Sequence, residues 1–95
     1  MIEVKQAVEM AANYLADLFA EEGISDIRLE EIELSDDSQT WHITFSFLRK
    51  AKQTGRQAMD DLQYALGQHH DRDYKVLALR ADDGVVTSVK IRQLA

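Results

Sequence analysis

The chain reads as an α+β fold, an N-terminal helix packed on a four-stranded antiparallel meander sheet. Three observations predict it. Apolar residues recur at three- and four-residue spacing over the first two dozen positions, the period of an amphipathic helix. Two pairs of alternating segments follow, each pair joined by a short polar turn, which is the pattern of antiparallel hairpins. The segment at 40–49 places Trp41, Ile43, Phe45 and Phe47 on one side, a stripe large enough to seat a helix.

The helix is predicted over 3–22. Val4, Val8, Ala11, Leu15 and Leu18 or Phe19 form its stripe, widened by Ala7 and Ala12, and the alanines imply a close approach to whatever the helix packs on. Glu3, Lys5, Glu9, Asn13 and Asp17 lie away from the stripe, and Gly23 is a natural stop. Strands are predicted over 26–35 and 40–49, linked by the turn-forming "SDDSQ". A second hairpin is predicted over 73–81 and 85–93, with Asp82-Asp83-Gly84 as a three-residue loop whose glycine takes the left-handed conformation.

On the last strand Val85, Val89 and Ile91 share one face, opposite Ser88, Lys90 and Arg92. The third strand is apolar on both sides, with Tyr74 and Val76 on one and Leu77 and Leu79 on the other. Between the hairpins, Met59, Leu62 and Leu66 are helically spaced, so a short second helix over about 56–67, ended by Gly67, is one reading. A long connection is the other. The apolar stripe of such a helix needs a surface. Leu77, Leu79 and Val86, on the sheet face away from the first helix, are candidates for it, and so is a partner subunit.

The first strand breaks its own alternation. Ile27 and Leu29 stand at odd positions, Ile32 and Leu34 at even ones, with Glu30-Glu31 between. One extra, unpaired residue restores the pattern, so a β-bulge is predicted there, with Ile27, Leu29, Ile32 and Leu34 all facing the core. The rival reading begins the strand at Glu31 and makes 24–30 an extended lead-in.

At 95 residues the chain is one domain, able to bury one core without staples. No cysteine is present, which removes disulfides and cysteine-based metal or redox sites. No apolar run behind a basic start marks an export signal, and no stretch approaches the ~20 apolar residues of a membrane span. A cytoplasmic protein without membrane or nucleic-acid partners is the expectation, since a net charge of −6 is the wrong sign for displacing counterions from nucleic acid. The charge is uneven: residues 1–37 carry eleven acids and two bases, residues 38–95 six acids and nine bases. Acidic and basic strands side by side in one sheet, or an acidic face that docks a basic partner, both account for it.

The segments "DIRLEEIELS", "TWHITFSF" and "RDYKVLALRADDGVVTSVKI" together resemble PepSY-like domains of the cystatin-like fold. The likeness lies in a leading helix, a curved four-strand meander, and a final hairpin. In that hairpin a strand with an aromatic and a valine turns at a glycine and returns with small and β-branched residues. The connection at 50–72 is longer than a tight hairpin link. The resemblance implies a non-enzymatic binding, inhibitory or regulatory module, of a group often linked to peptidases. A small module, bacterial in style and without a cofactor, is the expectation.

No catalytic or cofactor motif stands out. Glu30, Glu31, Glu33, Asp36 and Asp37 form the densest acidic group and are the candidate contacts for a protein partner. Acid–base catalysis needs two carboxylates facing each other, and adjacent strand residues are expected to point to opposite faces. "LSDDSQT" lacks the ligand register and glycine of a calcium loop. "HHDRD", with His69 and His70, is too compact for ligands to converge unaided, and His42 is expected on the polar side of its strand. No serine sits in a nucleophile elbow, and "TGRQ" is no phosphate loop. "RKAKQTGR" is the one basic cluster, open to an anion or to the acidic half of a second copy. Leu62, Leu66, Leu77 and Leu79 are the candidate self-association residues of a homodimer.

Overall fold

The computed structural model describes residues 1–49 and 72–92. Its elements, in chain order, are α1 (Val4–Leu18), a 3₁₀ turn (Ala20–Glu22), β1 (Ile24–Leu34), β2 (Thr40–Arg49), β3 (Asp73–Arg80) and β4 (Val86–Ile91). The strands form one antiparallel sheet in the order β1-β2-β3-β4, and α1 packs on one face of it, against β2 and β3. This is the α+β meander that the sequence predicts. The expected helix over 56–67 lies outside the described residues, as do Leu62, Leu66, His69 and His70.

The core forms where the helical and strand periods meet. Ala7, Ala11 and Leu15 recur every four residues and are fully buried, as are Ile43, Phe47, Leu77 and Leu79, with Phe45 nearly so. Alanine at two of the three central helix positions lets the helix axis come close to the sheet, so the large side chains come from the strands. Burying a residue such as Phe47 contributes about 1.5–3 kcal/mol before entropy is counted. Phe19, which caps the C-terminus of α1, packs against Phe47 with the rings tilted by 40° and their centroids 5.5 Å apart. Gly23 then turns the chain at φ 65° into β1.

Two expectations about faces are corrected. Leu77 pairs with Ile43 and Leu79 with Trp41, so both leucines face α1 and are fully buried beneath it. They are not on the opposite face, and in this fold their side chains are enclosed. Because β3 is apolar on both sides, alternation alone could not choose between the faces. In β4, Val86 opposes Leu79 and Val89 opposes Leu77, with Thr87 as an extra residue between them. Thr87 Oγ1 donates to the Ala78 carbonyl oxygen at 3.2 Å. This bulge turns Val86 to the core in place of Val85, which is half exposed.

The bulge in β1 stands as predicted. Leu29 pairs with Phe45 and Glu31 with Thr44, which leaves Glu30 as the extra residue. A second irregularity lies between Ser25 and Arg28, where Asp26 takes a left-handed backbone at φ 51°. The strand begins at Ile24, which rules out the lead-in reading. Ile27 and Leu29 do lie on the core side, Leu29 through its pairing with Phe45. Yet they are 38% and 48% exposed, because α1 sits mainly on β2 and β3 and does not reach over these two residues of β1.

The turns are closed by local hydrogen bonds. Asp37 Oδ1 accepts from Ser35 Oγ at 2.6 Å and from the Gln39 amide at 3.0 Å, holding the β1–β2 turn. Gly84 takes φ 78° and donates from its amide to the Arg80 carbonyl at 2.8 Å. The Ile2 amide donates to the Ala81 carbonyl at 2.7 Å, tying the N-terminal segment to the β3–β4 turn.

Candidate functional site

The polar chemistry is concentrated on the sheet face away from α1. On β2 this face carries His42, Thr44 and Ser46. Thr44 and Ser46 are buried although they point away from the apolar core, at 3% and 0% exposure. Two arginines cover them. Arg72, just before β3, donates from Nε to Ser46 Oγ at 3.0 Å and from Nη1 to Asp26 Oδ2 at 2.8 Å, and Nη2 reaches the Asp26 carbonyl. Arg92, just after β4, donates from Nη1 to Thr44 Oγ1 at 3.1 Å and to Glu31 Oε1 at 2.7 Å. Each guanidinium therefore ties the β3–β4 half of the sheet to β1 across a hydroxyl of β2.

Here the bulge has a chemical effect that alternation does not anticipate. Glu31 opposes Thr44, and Glu30 Oε2 accepts from Ser46 Oγ at 2.5 Å. Both glutamates thus lie on the same face, because the extra residue cancels the alternation that should have separated them. The expectation that they point apart is corrected. Their roles still differ: Glu31 is ion-paired to Arg92, and Glu30 is bonded to a buried hydroxyl.

The carboxylates respond to these partners. Arg92 holds the Glu31 carboxyl below the usual glutamate range, first by its hydrogen bonds and then by its charge. Arg72 does the same to Asp26, chiefly by hydrogen bonding, with Arg28 adding to the effect. Asp37 is lowered by the Ser35 hydroxyl and then by the Gln39 amide. Asp82 is lowered by its hydrogen bonds from Arg80.

Of the five candidate partner contacts, then, Glu30, Glu31 and Asp37 are engaged in holding the fold. Glu33 and Asp36 are exposed and make no ion pair or side-chain hydrogen bond among the described residues. His42 lies opposite Glu33 on the outward face and is also exposed. Ser46 is no nucleophile in this arrangement, since its hydroxyl is enclosed by Glu30 and Arg72 and shielded from solvent. No group of three or more potential metal ligands occurs among the described residues, and none of their helices is long and apolar enough to cross a membrane.

An open depression of about 790 Å³ lies where β2 ends and β3 begins, lined by Arg49, Arg72, Asp73, Tyr74, Lys75, Ile91 and Arg92. Its arginines are neutralised. Arg49 pairs with Glu22 at 2.9 Å and with Asp73, Arg72 with Asp26, and Arg92 with Glu31. The Lys75 ammonium lies 5.9 Å from the Phe19 ring centroid. The sequence drew no attention to Arg72 and Arg92 as a pair. The available signal was two hydroxyl residues, Thr44 and Ser46, in the middle of an otherwise apolar strand. Such hydroxyls need partners when covered.

Comparison with protein-family models, with curated proteins and with solved structures finds no match for this chain.

Proposed function

We propose that this chain is a small non-enzymatic binding or regulatory module that engages a protein partner through β1. One observation carries the reading. Among the described residues β1 is an edge strand, and its core-side residues Ile27 and Leu29 are half exposed because the helix does not cover them. An open strand edge beside exposed apolar side chains is a natural docking surface. Glu33 and Asp36, exposed at the turn end of β1, supply the negative charge that would select a basic partner. The likeness to PepSY-like domains of the cystatin-like fold supports the same reading, as does the helix-and-meander layout. The cytoplasm is the proposed location.

The test is capture on the immobilised chain, with the double variant Glu33→Lys, Asp36→Lys beside the parent. The variant should lose the captured partner and keep its circular dichroism. Retention of the partner would remove the acidic end of β1 as the contact. Glu30 and Glu31 are unsuitable for this test, since reversing them breaks their bonds to Ser46 and Arg92.

A second reading, a homodimer without a separate ligand, no longer has Leu77 and Leu79 to rest on. A different observation, the match between the two edges of the sheet, favours self-association.

A further inference from the structure

We infer that the two edges of the sheet are complementary and that β4 of one copy adds to β1 of a second copy, continuing the sheet from molecule to molecule. This goes beyond the proposed capture of a foreign partner.

β1 and β4 each have one neighbouring strand among the described residues, and α1, seated on β2 and β3, blocks neither edge. Four alternating strands leave β1 and β4 antiparallel to each other, so a second copy placed alongside continues the antiparallel order with its helix on the same side. Each edge has a short regular stretch clear of its bulges. On β1 it is Glu31–Leu34, beyond the bulge at Glu30. On β4 it is Val89–Arg92, beyond the bulge at Thr87, and the Arg92 amide still bonds the Tyr74 carbonyl at 3.0 Å.

The two stretches match in pattern and oppose in charge. On the helix side β1 offers Ile32 and Leu34, and β4 offers Val89 and Ile91, the latter 72% exposed. On the outward side β1 offers Glu31 and Glu33, and β4 offers Lys90 and Arg92. One antiparallel register sets Ile32 against Ile91, Leu34 against Val89, Glu31 against Arg92 and Glu33 against Lys90 of the second copy. Directly opposed apolar and opposite-charge pairs of this kind stabilise adjacent strands. Glu33 and Lys90 are exposed and make no ion pair within 4.0 Å among the described residues; Glu33 feels Arg92 only at longer range, so no close contact is given up when the two meet. The interface is heterologous, so it propagates in an open chain unless the sheet twist closes a ring. Only four residues per edge take part, which makes the association weak and dependent on salt.

Sedimentation velocity on the full chain tests this. At low salt the weight-average sedimentation coefficient should rise with concentration, and it should return to the monomer value at ~1 M salt, where the Debye length is ~3 Å. Glu33→Lys and Lys90→Glu should each abolish the rise while preserving circular dichroism. An equimolar mixture of the two variants should restore it, because each reversed edge meets an oppositely reversed one. A parent chain that stays monomeric throughout the low-salt series overturns the inference. So does association that survives both reversals, or a mixture that stays monomeric. Asp36→Lys lies outside the paired stretch and Lys90→Glu outside the acidic end of β1. The first should therefore affect only partner capture, and the second only self-association, so the two readings fail separately.

Discussion

β1 and β2 are neighbouring strands of nearly equal length with opposite surroundings. β2 buries five consecutive residues, Ile43 to Phe47, and runs beside β3 without a register shift. β1 buries none, shifts register twice against the same neighbour, and carries most of the acids of its hairpin. Both have apolar residues at alternate positions. What separates them is coverage. α1 lies over β2, while Arg72 and Arg92 close the other side of β2 at Ser46 and Thr44. Hydrophobic alternation shows which way a residue points. Whether anything lies on top of it depends on where the next layer ends.

The contrast can be broken most severely at Phe47. Phe47→Ala empties the contact with Phe19 and should cost about 3–5 kcal/mol in chemical denaturation, as a large cavity does in a packed core. On the other side of the same strand, Ser46→Ala leaves Glu30 and Arg72 without their shared hydroxyl. It should cost about 1–3 kcal/mol, and an equal stability to the parent would show that the hydroxyl is dispensable. Gly84→Ala should cost about 1–2 kcal/mol from the left-handed backbone alone. The new methyl would also press on Met10 Sδ and Cε, whose flexible end can move aside.

The ties to β1 are electrostatic, so acid should loosen them. Asp26 and Glu31 have folded-state pKa values below their unfolded ones, so their contribution is present above the unfolded values, ~3.9 and ~4.3. It is lost as the pH falls through the folded values. Hydrogen exchange followed from pH 6 to pH 3 should therefore show β1 losing protection before the β2–β3 pair. Simultaneous loss would show that the arginine ties do not act on β1 separately. The smallest effect is expected at Leu29, where Leu29→Thr should change stability by no more than about 0.5 kcal/mol, as at other surface positions. A larger loss would mean that something covers this side of β1 after all.

The sequence revealed the elements of the fold and one of the irregularities. The 3.6-residue period of Val4 to Leu18 and the clean alternation of Trp41 to Phe47 are unambiguous because each has a single apolar face. The bulge at Glu30 was legible for the same reason, since it displaced a regular apolar series. At Val85-Val86 two adjacent valines satisfy alternation in either register, so the bulge at Thr87 left no trace. Leu77 and Leu79 could not be assigned a face because their strand is apolar on both. The arginine ties were invisible for a different reason. They join residues far apart in sequence, and their lengths and angles exist only once the strands are side by side.

The way α1 is seated also bears on how the chain folds as it is synthesised. The helix is made before the sheet, but the floor on which Ala7, Ala11 and Leu15 rest includes Leu77 and Leu79 of β3, which follows β1 and β2 along the chain. The hook from Ile2 to Ala81 must wait longer still. Until then the emerging helix has an apolar stripe and an incomplete place to put it. A nascent segment in that condition is exposed to chaperones and to neighbouring chains.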